Sequence, residues 1–170
     1  MTALRVGQGF DVHAFRSGRP LWLGGVLIPF ERGLAGHSDG DTLLHAVADA
    51  LLGAAGLGDL GQRFPSEDPR FTGMDSRELL RAIGAEVSAA GWQVINLDAT
   101  VIAQAPRLAP YVSAMRAAIA DVLALPIGAI SVKPKTADHL GALGRAEGIA
   151  AWVVVLLART EADGGLRSGR

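Results

Sequence analysis

Cysteine is absent from the 170 residues. That excludes disulfides, thiolate nucleophiles and Cys-rich zinc sites, and it leaves any metal to histidine and carboxylate. Net charge is nearly absent too: 16 Lys and Arg stand against 17 Asp and Glu, a formal charge of −1. No broad basic field for nucleic acid or an anionic membrane surface is expected. A polyanionic substrate would then need something other than bulk charge to neutralise it, and a divalent ion does that. Long hydrophobic runs are missing as well. The longest, "GIAAWVVVLLA" at 148–158, falls far short of a membrane-spanning helix. No basic leader with an apolar core precedes Val6, so a cytoplasmic location is the expectation. What is present is core-forming material: 49% of residues are hydrophobic, enough for one compact domain over residues 1–158. The tail, 159–170, has little to bury and is expected to be disordered.

Patterning predicts a strand over 3–15, two short strands within 21–30 joined at Gly24 and Gly25, and strands over 92–105, 129–136 and 148–159. Helical spacing covers 41–56, 75–91 and 109–125. Ser38 and Asp39 are N-cap candidates for the first helix, and Gly53 or Gly56 is its stop. Residues 31–41 read as a polar loop and 57–74 as an unusually long one. The last strand is apolar on both faces, which suits a central position or a subunit interface. The order predicts an α+β fold: a two-layer sandwich of a mixed β-sheet with helices on one face.

Within the first strand, "GQGFDVHAF", Asp11 and His13 stand two residues apart and share one face. His45 is the natural third partner. On its helix Asp41, His45 and Asp49 fall at i, i+4 and i+8, one stripe. Two imidazoles and a carboxylate with one open position form the catalytic zinc pattern, and Asp41 or Asp49 would orient His45. A plainer alternative stands beside it: His45 as an interior histidine bonded to its own stripe, which is otherwise a solvated face, and a D-x-H pair occurring by chance.

Other clusters point to phosphate and polyol chemistry. "HSDGD", 37–41, opens the His45 helix, where backbone N–H groups favour anions and His37 and Ser38 add donors. An ordinary N-cap explains Ser38, Asp39 and Gly40 but has no use for His37. Asp59 lies among Gly56, Gly58 and Gly61, as a polyol acceptor or a turn residue. The small residues of "AQAPRLAP", 103–110, would let a flat base lie against backbone. In "KPKTADHLG", 133–141, Lys133, Lys135 and Thr136 suit phosphate and Asp138 suits a second, harder cation; surface lysines at a strand end are the plain alternative.

With "GFDVHAF", "GHSDGD", "LLHAVADALLGAAGLGDLGQRFP", "DSRELL", "AQAPRL" and "GRAEGIA" in this order, the chain resembles the 2-C-methyl-D-erythritol 2,4-cyclodiphosphate synthase family of non-mevalonate isoprenoid biosynthesis. The resemblance spans about the first 158 residues. It implies a lyase that cyclises a cytidine diphosphate ester of methylerythritol 2-phosphate and releases CMP. It implies zinc, or another divalent ion, at Asp11, His13 and His45, and magnesium or manganese bridging the substrate diphosphate at Asp138. His37 and Thr136 would stabilise the transition state, and Ser38 would contact phosphate. Asp59, Leu60, Gly61, Phe64 and Asp68 would form the polyol loop. Ala103, Pro106, Arg107, Leu108 and Ala109 would form the cytidine pocket, with Lys135 adding charge near the diphosphate. A homotrimer with active sites between subunits is implied, with Arg145 as a further substrate-binding residue and, with Glu147, near its axis, and loose association with pathway neighbours is compatible with it. Departures from the family pattern fall at Lys135, Ala137 and Asp138, where threonines and Glu are usual, at Ala142 in place of Phe, and at Arg107 in place of Lys. Rival readings are a metal-dependent nucleotide pyrophosphohydrolase and a non-enzymatic binding protein of the same fold.

Overall fold

The computed structural model describes residues 3–65 and 67–160; the tail expected to be disordered from 159 loses Arg159 to the last strand, where it pairs with Trp92, and its residues beyond 160 lie outside the described ones. Period-two alternation produces the long strands. β1 (Leu4–Ser17), β5 (Trp92–Ile102), β6 (Ile130–Lys135) and β7 (Gly148–Arg159) form a five-stranded sheet with the short β4 (Arg32–Leu34), in the order β4-β1-β7-β5-β6. The β5–β6 pair is parallel and the rest are antiparallel, so the sheet is mixed. β2 (Leu21–Leu23) and β3 (Val26–Ile28) make the separate hairpin expected at Gly24 and Gly25. One sheet face is covered by α1 (Thr42–Ala55), α3 (Ser76–Ala89) and α4 (Val112–Leu123). Two single turns, α2 (Leu60–Arg63) and α5 (Gly141–Gly144), complete the helices among the described residues.

The last strand lies in the middle of the sheet, as expected, with unequal faces. Ile149, Ala151, Val153, Val155 and Leu157 pack into the core, while Trp152 and Val154 are exposed beside Phe10 and Val12 of β1. Phe10 and Trp152 meet edge to face at 5.8 Å between ring centres. On β1 the helix-facing positions are Gly7, Gly9, Asp11 and His13. The two glycines matter because α1 lies directly on them. A Cβ on Gly9 would stand 2.0 Å from the Ala46 carbonyl oxygen, and one on Gly7 would stand 2.2 Å from that of Ala50. Backbone-to-backbone contact here brings His45 down onto the next two residues of the same strand face.

α1 is buried on nearly all sides, as a helix apolar all round must be. Leu43, Leu44, Leu51 and Leu52 are fully enclosed, each worth roughly 1.5–3 kcal/mol of burial. Its stripe of Asp41, His45 and Asp49 is therefore not a solvated face: Asp41 is completely buried and His45 nearly so. The helix is capped by Asp41 rather than by Ser38 or Asp39. The Asp41 carboxylate accepts from the N–H groups of Leu44 at 3.0 Å, Gly24 at 2.8 Å and Gly25 at 2.7 Å, so it ties the hairpin turn to the helix. Gly56, with φ of 73°, ends it, while Gly53 stays inside. The polar loop 31–41 contains β4, and the long loop 57–74 contains α2 and a 3₁₀ turn at Pro69–Phe71. α4 starts two residues after Pro110, which instead belongs to a 3₁₀ turn, Ala109–Tyr111. No described helix is long and apolar enough to cross a membrane.

Candidate active site

Asp11, His13 and His45 converge. The Asp11 Oδ2 lies 2.9 Å from His13 Nε2 and 3.1 Å from His45 Nδ1, and the two nitrogens are 3.3 Å apart. His13 donates its Nδ1–H to the Ala35 carbonyl, which can only accept, so its Nε2 lone pair faces the other two donors. A tetrahedral ion with bonds of about 2.0–2.1 Å spaces its ligands by roughly 3.3 Å. Three electron-rich atoms at that spacing repel one another unless a cation sits among them, so the residues present fit a divalent ion. Among the described residues this is the one group of three or more ligating side chains so gathered. Without a cation, protons can fill the same place. Burial pushes the Asp11 carboxyl up, but hydrogen bonds from the protonated forms of His13 and His45 outweigh it and hold the group well below the usual carboxylate range. Burial pulls His13 down, and the hydrogen bond and charge of Asp11 more than restore it, so it holds a proton more tightly than a free imidazole.

The other edge of His45 meets hydroxyls, not the carboxylates of its own helix. Nε2 is 3.0 Å from Ser76 Oγ and 3.1 Å from Ser38 Oγ. Asp41 is spent on capping. Asp49 instead accepts from the Leu60 N–H at 2.7 Å and so anchors α2; burial pushes its carboxyl up. Neither orients His45, which corrects that expectation. Ser76 is the partner that sequence reading missed: it stands 31 residues away and reads there only as part of a helix start.

The triad forms one wall of a cavity of about 250 Å³, lined further by His37, Ser38, Asp49, Leu60, Gly61 and Phe64, with Phe71, Met74 and Leu79 as additional apolar contacts. His37 is held by the Thr72 hydroxyl, 2.9 Å from its Nε2. The expected backbone cradle at 37–41 is filled from within. The N–H groups of Asp39, Gly40 and Asp41 bind the Met74 carbonyl, Ser38 Oγ and Asp39 Oδ1. Any phosphate contact in this loop therefore falls to the side chains of His37 and Ser38. In the loop expected to bind polyol, Leu60, Gly61 and Phe64 face the cavity. Asp59 caps α2 and binds the Gln62 side chain at 2.6 Å, and Asp68 grips Arg70 at 2.6 Å, so both carboxylates are engaged locally.

The other predicted residues gather on the opposite flank of the sheet. Ala103, Pro106, Arg107, Leu108, Ala109, Lys135 and Thr136 line a second cavity of about 260 Å³ at the ends of β5 and β6. Asp138 follows, exposed and with φ of 51°. Arg145 pairs with Glu147 at 2.6 Å on the surface. Strand pairing gives the distance between the flanks. Asp11 pairs with Ala151, Ala151 with Val101 and Val101 with Pro134, so the triad and the second cavity lie at the same level of the sheet. Three strand spacings, about 14 Å, separate them.

Residues 4–158 match the family model described as the YgbB family. The chain is 63% identical over 155 residues to the 2-C-methyl-D-erythritol 2,4-cyclodiphosphate synthase of Bordetella avium, covering 91% of this chain and 96% of that one. It is 59% identical over 159 residues to the synthase of Neisseria gonorrhoeae, covering 94% and 99%. The bifunctional IspDF from Campylobacter jejuni superimposes with a TM-score of 0.91 at 43% identity over 95% of this chain, which spans 44% of that longer protein. The CDP complex of IspF from Plasmodium falciparum superimposes with a TM-score of 0.83 at 32% identity, covering 95% and 99%. With its mixed sheet, its Asp-His-His triad and these relatives, the chain belongs to the YgbB family, the family of the 2-C-methyl-D-erythritol 2,4-cyclodiphosphate synthases.

Proposed function

We propose that this chain converts 4-diphosphocytidyl-2-C-methyl-D-erythritol 2-phosphate to the 2,4-cyclodiphosphate with release of CMP, acting in the cytoplasm as a phosphorus–oxygen lyase of isoprenoid synthesis. The observation that carries the chemistry is the convergence of Asp11, His13 and His45 on a cavity rimmed by His37 and Ser38. In the reaction an oxygen of the 2-phosphate attacks the phosphorus bonded to the polyol. The bond from that phosphorus to the CMP oxygen breaks, and CMP carries away the electron pair. The nucleophile is already an anion, so no strong base is required. The barrier lies in anion repulsion and in-line geometry, which positioning and charge stabilisation lower. Alignment of reacting groups supplies up to about 7–11 kcal/mol in general, part of which the tethered substrate already provides.

Each residue has a place in this scheme. Asp11, His13 and His45 would hold zinc or another divalent ion, which supplies Lewis-acid charge against a substrate phosphate. Thr136 and His37 donate to phosphate oxygens as charge builds on them, and Ser38 binds the same region. Leu60, Gly61 and Phe64 pack the polyol. The pocket from Ala103 to Ala109 takes the cytosine ring, and Lys135 and Arg107 stand by the diphosphate. Asp138 is an exposed carboxylate, which suits magnesium or manganese, ions that take most of their ligands from water and substrate phosphates.

We assign the two half-sites that act on one substrate to neighbouring chains. The triad flank of one subunit facing the Thr136 flank of the next is a heterologous contact, and such a contact forms a ring when its rotation closes. The exposed apolar face of Phe10, Val12, Trp152 and Val154 supplies the surface to bury, and a homotrimer is the ring we assign. Chromatographic measurement of CMP release tests the proposal: His37→Ala and Thr136→Ala should each lose most turnover. Full turnover in both would overturn the assigned site.

A further inference from the structure

We infer that Asp39 and Ser76 form a relay that fixes the proton of His45 on Nε2 and so presents the Nδ1 lone pair to the cation, with both acting as positioning residues. The inference rests on reading Asp11, His13 and His45 as a cation site. It starts from hydrogen-bond polarity. Asp39 faces three donors: Oδ2 accepts from the Ser76 N–H at 2.9 Å, and Oδ1 accepts from the Asp41 N–H at 3.1 Å and from Ser76 Oγ at 2.5 Å. A carboxylate oxygen accepts, so the hydroxyl proton of Ser76 is committed to Asp39. Only lone pairs remain on Ser76 Oγ, which lies 3.0 Å from His45 Nε2, so that nitrogen must be the donor. A neutral imidazole with its proton on Nε2 has its lone pair on Nδ1, the atom that faces Asp11 and His13.

The relay works against a competitor. Asp11 Oδ2 is 3.1 Å from Nδ1 and would accept a proton there, the tautomer that cannot bind a metal through this nitrogen. Asp39 and Ser76 tip the balance the other way, and both are held for the task. Ser76 is fully buried at the first turn of α3, and Asp39 ties that turn to the segment leading into α1. Ser38 follows from the same polarity. Its Oγ receives the Gly40 N–H at 3.3 Å and shares the Nε2–H of His45 at 3.1 Å. Two donors already point at it, so its own O–H is left to turn toward the cavity it lines, where it donates to a phosphate oxygen.

The test is nitrogen-15 NMR of the histidine imidazoles in the full chain, stripped of metal at mildly alkaline pH, followed by zinc titration. The wild type should show the His45 proton on Nε2. Ser76→Ala should move it toward Nδ1 and weaken zinc binding by about 10–100-fold, the usual effect of losing an outer partner of a metal ligand. Ser76→Thr, which keeps the hydroxyl, should restore both. A wild-type His45 with its proton on Nδ1 overturns the relay whatever the variants do. So does a Ser76→Ala chain with unchanged tautomer and zinc affinity. If the wild type binds no zinc, the cation reading fails, while the tautomer still reports on the relay.

Discussion

Replacing Gly9 with Ala puts a methyl group where β1 meets α1, two residues before Asp11. The new Cβ would lie 2.0 Å from the Ala46 carbonyl oxygen and 2.7 Å from the Ala50 nitrogen, both backbone atoms that no side-chain rotation can move aside. Ordinary contact is about 3.5 Å, so strand and helix must part by up to about 1.5 Å. Overpacking of this kind typically costs about 1–3 kcal/mol, which a folded chain can survive. The proposed metal site cannot absorb it as easily. His45 is the neighbour of Ala46, and ligand distances in metal sites hold to about 0.2 Å. The separation is several times that tolerance, so zinc affinity should fall by at least the ~100-fold seen when outer partners of ligands are lost. Competition against a chromophoric chelator, run beside a thermal melt, measures both effects. Gly53→Ala is the control on the same helix. Its Cβ meets nothing nearer than the Gln8 oxygen at 3.9 Å, and helix propensity should make it neutral or stabilising by about 0.5–1 kcal/mol. A Gly9→Ala chain that binds zinc as the wild type does would refute the claim that this contact sets the ligand geometry.

Other perturbations have equally definite outcomes. His45→Ala should abolish zinc retention and turnover while the proposed trimer persists, as seen by metal analysis and light scattering. Zinc affinity should rise with pH. His13 binds its proton more tightly in the folded metal-free chain than unfolded, so that stabilisation is complete below the unfolded value of about 6.5 and disappears as pH rises through the raised folded value. Zinc needs the same lone pair, and chelator competition across that window should show the affinity climbing and then levelling; a flat profile contradicts it. Trp152→Asp places a charge on the exposed apolar face and should shift the chain to a smaller species by light scattering. Leu51→Ala in the fully buried face of α1 should cost about 2–5 kcal/mol in denaturant unfolding.

Strand parity made Asp11 and His13 legible: their two-residue spacing alone places them on one face, and that face proved to be the one against α1. His45 followed because its helix is long and strongly patterned. The stripe rule then misled, because i and i+4 spacing says which residues share a helix face but not what covers it. Asp41 turned to the hairpin N–H groups and Asp49 to Leu60. Ser76 and Asp39 were opaque for a related reason. Each reads locally as helix-start chemistry, and their link to His45 exists only once α3 packs beside α1. β4 and α2, of three and four residues, are too short for periodicity to register.

The central claim is that this chain closes a ring rather than hydrolysing a diphosphate, and a phosphorus NMR time course tests it most directly. The purified protein is mixed with 4-diphosphocytidyl-2-C-methyl-D-erythritol 2-phosphate, with and without chelator. The account predicts that CMP and a cyclic diphosphate grow in together and that chelator stops both. CMP appearing with a linear phosphorylated polyol, or no turnover in the zinc-loaded protein, would contradict it.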